Sequence, residues 1–94
     1  MIPYGKQHIN KDDIDSVIEV LNSDFLTQGP IVPKFEEAIS SYCKSGYGVA
    51  VTSATAGLHI ACLALDLKKG DLVWTSPNSF VASANCAIYC GADI

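Results

Sequence analysis

Arginine is absent from these 94 residues. All six basic residues are lysines, namely Lys6, Lys11, Lys34, Lys44, Lys68 and Lys69. Ten acidic residues outnumber them, and the net charge is −4. Proteins that bind nucleic acid carry a basic surface and read phosphates and guanine edges with arginine forks. Neither is present, so no nucleic-acid partner is expected. A long apolar run is missing too: nothing approaches the roughly 20 residues that cross a bilayer. No membrane span is therefore expected. The first eight residues, Met1 to His8, hold no apolar stretch, so no secretory signal is expected. C-x-x-C pairs are also lacking among Cys43, Cys62, Cys86 and Cys90. Cys86 and Cys90 lie one helical turn apart, which alone does not define a metal site. No metal is expected. The cysteines read as buried free thiols that pack as small hydrophobes, as suits a reducing cytoplasm.

What is present is apolar. Hydrophobic residues make up 49% of the chain and charged residues 17%, which excludes a disordered tail. A chain of this length has material for one small core, burying roughly 60–65% of its unfolded surface. Asn10 is a candidate N-cap, with Asp13 three residues on. Ile14, Val17, Ile18 and Leu21 follow at i, i+3, i+4 and i+7, and predict a helix ending near Ser23. Residues 24–33 read as irregular, punctuated by Gly29-Pro30. Pro33 then fits the first turn of a second helix, with Phe35, Ala38, Ile39 and Tyr42 on one face and Gly46 and Gly48 around its end.

From Tyr47 the texture changes. Residues 47–52 read as a buried strand. Residues 53–65 read as a helix apolar nearly all round and therefore buried on several sides. A turn at Lys68-Lys69-Gly70-Asp71 leads to a second strand at 72–75, in which Trp74 reads as core. Residues 80–90 form a helix rich in small residues, ended by Gly91. Ala92-Asp93-Ile94 looks like the start of a third strand. The order is two helices and then β-α-β-α-β, an α/β arrangement with a parallel sheet. This predicts a helical segment over 1–46 and the start of a larger α/β domain over 47–94. A third strand of three residues leaves the preceding helix poorly covered, so the chain is expected to be the front part of a longer protein.

Two strand-to-helix junctions carry the chemistry. In Val51-Thr52-Ser53-Ala54-Thr55-Ala56-Gly57-Leu58-His59, small and hydroxyl residues open a helix whose first amides have no internal partners. This is a phosphate site in physical terms, or simply a capped helix start. It is neither a P-loop nor a dinucleotide fingerprint. In Thr75-Ser76-Pro77-Asn78-Ser79-Phe80-Val81-Ala82-Ser83-Ala84-Asn85, the loop falls at the same carboxyl edge of a parallel sheet, where α/β sheets bind ligands. Phe80 can lie on a ring-shaped ligand or serve as plain core. His59 reads as a packed or capping histidine, and His8 as a surface one. Asp12, Asp13 and Asp15 read as a solvated helix start.

These two segments resemble the phosphate-binding segment and the following motif of the DegT/DnrJ-type sugar aminotransferases. Leu26-Thr27-Gln28-Gly29-Pro30, followed by Phe35-Glu36, resembles a third motif. All three fall in the family's order and cover essentially the whole chain. The nearest branch aminates UDP-linked 4-keto-6-deoxy-N-acetylhexosamines on the way to pseudaminic acid. The resemblance implies the N-terminal portion of the aspartate-aminotransferase-like, type I pyridoxal-phosphate fold. It also implies pyridoxal 5′-phosphate as cofactor, a homodimer with the active site at the subunit interface, and amino transfer from glutamate to the 4-keto group of a nucleotide sugar. Carried over by position, Ala54 and Thr55 would hold the cofactor phosphate and Phe80 would stack on the pyridine ring. Thr27 and Gln28 would lie near the substrate or the dimer contact.

The sequence departs from the family in what it omits. The family's Schiff-base lysine and the aspartate that pairs with the pyridine nitrogen have no counterpart among these residues. No catalytic residue is therefore assigned, and the chain alone is expected to be an inactive fragment. Two other readings fit the same residues. One is a related dehydratase or regulator that keeps the phosphate and stacking loops. The other is a truncated, non-catalytic interaction module with an open sheet edge.

Overall fold

The computed structural model describes residues 2–94. Its regular elements are four helices: α1 (Lys11–Leu21), α2 (Ile31–Cys43), α3 (Ala54–Ala64) and α4 (Ala82–Tyr89). They fall into two compact units, Met1–Ala50 and Val51–Ile94.

In the first unit, α1 begins where the sequence places it. Asn10 Oδ1 accepts from the Asp13 amide at 3.1 Å, and Asp13 Oδ2 accepts from the Asn10 amide at 2.9 Å. This reciprocal capping box satisfies two of the four orphan amides at the helix start. Lys11 pairs with Asp15 one turn on. The α1 apolar face buries none of its residues.

Helix α2 differs from expectation at both ends. It starts at Ile31, inside the stretch expected to be irregular, with Pro30 as an N-cap lacking a side-chain bond; Pro33 lies in the first turn, as expected. It ends at Lys44, not at Gly46 or Gly48. Lys44 takes the left-handed conformation (φ 53°), and the Ser45 amide reaches back to the Ser40 carbonyl at 2.9 Å. That closing bond usually recruits glycine, whose missing Cβ makes the conformation cheap; here hydrogen bonding imposes it on a lysine. Gly48 has a different task. A Cβ there would meet the Glu36 carbonyl oxygen at 2.5 Å, because residues 48–50 run against α2. The Glu36 carboxylate accepts from the Ala50 amide at 2.8 Å and holds them there.

The second unit pairs α3 with α4. His59 and Tyr89 meet edge-on across that contact, ring centroids 5.3 Å apart. The predicted histidine packing role is therefore occupied by a specific aromatic partner. Ala82, Cys86, Ala87 and Ala92 are the buried residues, all small. Gly91, at φ 81°, closes α4 as its sequence position predicts, with the Ala92 amide bonded to the Ala87 carbonyl at 3.1 Å.

The strands are where expectation and structure part. Among the described residues there is no continuous strand, only a parallel bridge between Leu72 and Asp93. The Val73 amide donates to the Asp93 carbonyl and the Asp93 amide to the Asp71 carbonyl, each at 2.9 Å. Residues 47–52 have no ladder partner and bend at Thr52, and a strand exists only through its ladder. Two burial expectations are corrected for the same reason. Helix α3 buries no residue, because α4 is the helix that packs on it within this unit. Trp74 is 89% exposed rather than core, since it lies beyond the single Leu72 bridge with no second layer over it.

Candidate functional site

The first junction is built by Ser53. Its backbone is extended, and its Oγ accepts from the Ala56 amide at 3.2 Å. Its carbonyl accepts from the Gly57 amide at 3.0 Å. These bonds satisfy the third and fourth amides of α3. The first two, on Ala54 and Thr55, have no acceptor among the described residues, and neither does the Thr55 hydroxyl. Both residues are exposed. Two parallel amides, a hydroxyl and the positive end of a helix dipole converge on one exposed spot, a donor set suited to a phosphate. The capped-helix reading and the phosphate reading are thus compatible: Ser53 caps, and Ala54 and Thr55 remain free. Gly57 faces Val51, whose Cγ2 would lie 3.4 Å from an added Cβ, so the helix passes close to the incoming chain.

The second junction is organised differently. The Asn78 amide donates to Ser76 Oγ at 3.3 Å, folding the loop. The Ser83 amide donates to the Phe80 carbonyl at 3.0 Å, and the Ala84 amide to the Val81 carbonyl at 3.1 Å. Phe80 is 74% exposed, so plain core is ruled out within this unit. Its ring lines an open groove of about 710 Å³, together with Trp74, Thr75, Pro77 and Val81. That volume lies in the range of small-molecule clefts. Ala54 and Thr55 do not line this groove. The structure thus brings Ala54 and Thr55 together at one helix start and sets Phe80 in a neighbouring loop of the same unit.

Thr27 and Gln28 belong to the first unit and are exposed. Gln28 is left-handed (φ 54°), an uncommon conformation for a side-chain-bearing residue. Gly29 follows because a Cβ there would press on Phe25 at 3.0 Å. Neither junction segment, 51–59 or 75–85, contains a lysine. Lys68 is tied to Asp66 at 2.7 Å, and its amide to the Asp71 carboxylate at 2.9 Å, inside the predicted turn. Among the thiols, Cys86 donates to the Ser83 carbonyl at 3.4 Å. Partial burial, and then the adjacent Cys86 thiol, push the Cys62 thiol above its ordinary value. That suits a packed, unreactive cysteine. No group of metal-ligating side chains occurs among the described residues.

Two features escaped the sequence reading. Trp74 is a groove wall and not core. Ser79 and Ser83, whose hydroxyls lie 3.1 Å apart, flank Phe80. Their spacing of four residues at a helix start was the available signal.

A family model described as the DegT/DnrJ/EryC1/StrS aminotransferase family matches residues 7–94. The chain belongs to this family. It is 39% identical, over its whole length, to a UDP-4-amino-4,6-dideoxy-N-acetyl-beta-L-altrosamine transaminase of Campylobacter jejuni. It is 40% identical over 91 residues to the spore coat polysaccharide biosynthesis protein SpsC of Bacillus subtilis. These alignments span 25% and 23% of those relatives, so the chain covers about a quarter of the length of family members it matches. Among solved structures, it is similar to Spr1654 of Streptococcus pneumoniae, designated a sugar aminotransferase, in its PLP-form. The TM-score is 0.90 and the identity 30%, over 97% of this chain and 23% of that one. The backbone therefore follows that of Spr1654 although continuous strands are absent among the described residues.

Proposed function

We propose that these residues are the N-terminal, cofactor-phosphate part of a pyridoxal-phosphate-dependent sugar-nucleotide aminotransferase. The observation that carries the proposal is the pair of unpartnered amides on Ala54 and Thr55, beside a free Thr55 hydroxyl, in a chain of this family. In this reading residues 1–46 form a helical segment. Residues 47–94 open the large α/β domain, and the Leu72–Asp93 bridge is the first pair of its parallel β-α-β-α-β sheet.

The surface supports a longer protein. The chain exposes 8335 Å². A folded monomer of its mass exposes about 5,200 Å², and two separate units of half that mass about 6,300 Å². Even by the second measure about 2,000 Å² is in excess, an amount that a large obligate contact covers. The remainder of the longer protein and a second subunit of a homodimer would cover it.

When bound, pyridoxal phosphate carries the amino group between donor and acceptor and withdraws electrons from the carbon that gains or loses it. The residues of this chain bind and orient. Ala54 and Thr55 would donate to the phosphate and Phe80 would offer its face to the pyridine ring, in the groove that Trp74 and Val81 also line. Thr27 and Gln28 lie toward the nucleotide sugar or the subunit contact. The lysine and the acidic partner that move protons belong to the longer chain. The substrate we favour is a UDP-linked 4-keto-6-deoxy-N-acetylhexosamine with glutamate as donor, as in pseudaminic acid synthesis in the cytoplasm. The named Campylobacter relative supports it.

The test is to supply the purified complete gene product with pyridoxal phosphate, glutamate and that keto-sugar. Mass spectrometry should find the amino-sugar and 2-oxoglutarate in equal amounts. Cofactor binding with no amine transfer would move the assignment to a dehydratase or regulator of the family.

A further inference from the structure

Phe80 sits in an exposed loop that Ser83 engages twice, once at the Phe80 carbonyl and once at the Ser79 side chain. The Ser83 amide donates to the Phe80 carbonyl at 3.0 Å. The Ser83 hydroxyl lies 3.1 Å from the Ser79 hydroxyl, immediately before Phe80. Ser83 is itself anchored in α4, where its carbonyl accepts from the buried Cys86 thiol at 3.4 Å. Ser79, Phe80 and Ser83 all line the same groove. An exposed phenylalanine gains little from its own packing, and the rotamers open to its ring are set by its backbone angles. The hydroxyl pair closes a loop over residues 79–83, just before α4, and restrains those angles.

We propose that Ser83 is a positioning residue: through its hydroxyl bond to Ser79 it holds the Phe80 ring in the groove in the orientation that receives a flat aromatic ligand. The identity of that ligand as pyridoxal phosphate rests on the function proposed above; the positioning itself does not.

The experiment uses the complete gene product, freed of cofactor and labelled with 4-fluorophenylalanine. The Phe80 fluorine resonance is identified by its loss in Phe80→Leu. S83A should shift or broaden that line, while S83T, which keeps the hydroxyl, should restore it. S79A should reproduce the S83A spectrum, and the double variant should add nothing further, because both remove one bond. Circular dichroism at matched temperature should be unchanged in S83T and S79A, which keeps the test readable if S83A folds poorly. Pyridoxal phosphate is then titrated into each sample. One lost hydrogen bond should weaken its binding about three- to tenfold in S83A and S79A and less than twofold in S83T. A Phe80 line unmoved by both S83A and S79A would overturn the positioning role. A line that moves in the variants but not with pyridoxal phosphate in any of them would uphold Ser83 and overturn the cofactor reading.

Discussion

The two helix starts of the second unit solve opposite problems. At α3 the N-cap side chain takes the third amide and leaves the first two open. At α4 the N-cap is Val81, which has no capping side chain, and the second amide is already tied to the Phe80 carbonyl. The first junction keeps donors free for an anion. The second uses its donors internally to fix a loop and present a ring. Similar sequence texture, with small and hydroxyl residues before an apolar helix, therefore leaves two open amides in one place and an exposed ring in the other. What separates them is where the serines sit. Ser53 is at the cap itself, whereas Ser79 and Ser83 straddle the residue to be displayed.

Substitutions at each junction should separate these roles. The largest effect is expected from Thr55→Asp. A carboxylate there competes for the open amides and repels a phosphate, so pyridoxal phosphate and inorganic phosphate should both bind at least about 100-fold more weakly. Calorimetric titration of both ligands checks this. Phe80→Ala should weaken pyridoxal phosphate about two- to tenfold, the worth of an aromatic stack, and leave inorganic phosphate unaffected. If phosphate affinity fell as well, the two junctions would not be separate in function. Ser53→Ala removes a cap and should cost about 1 kcal/mol in urea unfolding, with Ser53→Gly costing only a few tenths. The smallest effect is expected from Gly57→Ala. Its Cβ reaches Val51 Cγ2 only at 3.4 Å, so improved helix propensity should offset the contact and leave stability within about 0.5 kcal/mol.

The same contrast marks what the sequence could reveal. Features set by neighbours in the chain were legible: the Asn10–Asp13 capping box, the Ser53 cap, the Lys68–Asp71 turn and the Gly91 stop all rest on contacts within a few residues. The end of α2 was not, because Lys44 adopts a conformation its side chain does not favour, held by the Lys44–Ser41 and Ser45–Ser40 bonds. The strands were least legible of all. Residues 47–52 and 72–75 have the composition of buried strands, but pairing is a property of partners that short-range patterns cannot supply. Trp74 failed for that reason, since its composition reads as core while no layer covers it. At the site, helix-start chemistry marked the 51–59 junction and the polar loop marked Phe80 as one of two readings; the choice of Ala54, Thr55 and Phe80 came from the family resemblance. The Ser79–Ser83 bond needed coordinates.

The central claim is that the open amides of α3 receive the cofactor phosphate. A crystal structure of the complete gene product grown with pyridoxal phosphate tests it most directly. The account predicts phosphate oxygens within hydrogen-bond distance of the Ala54 and Thr55 amides, with the pyridine ring against Phe80. A bound cofactor whose phosphate lies elsewhere, with those two amides facing solvent, would contradict it.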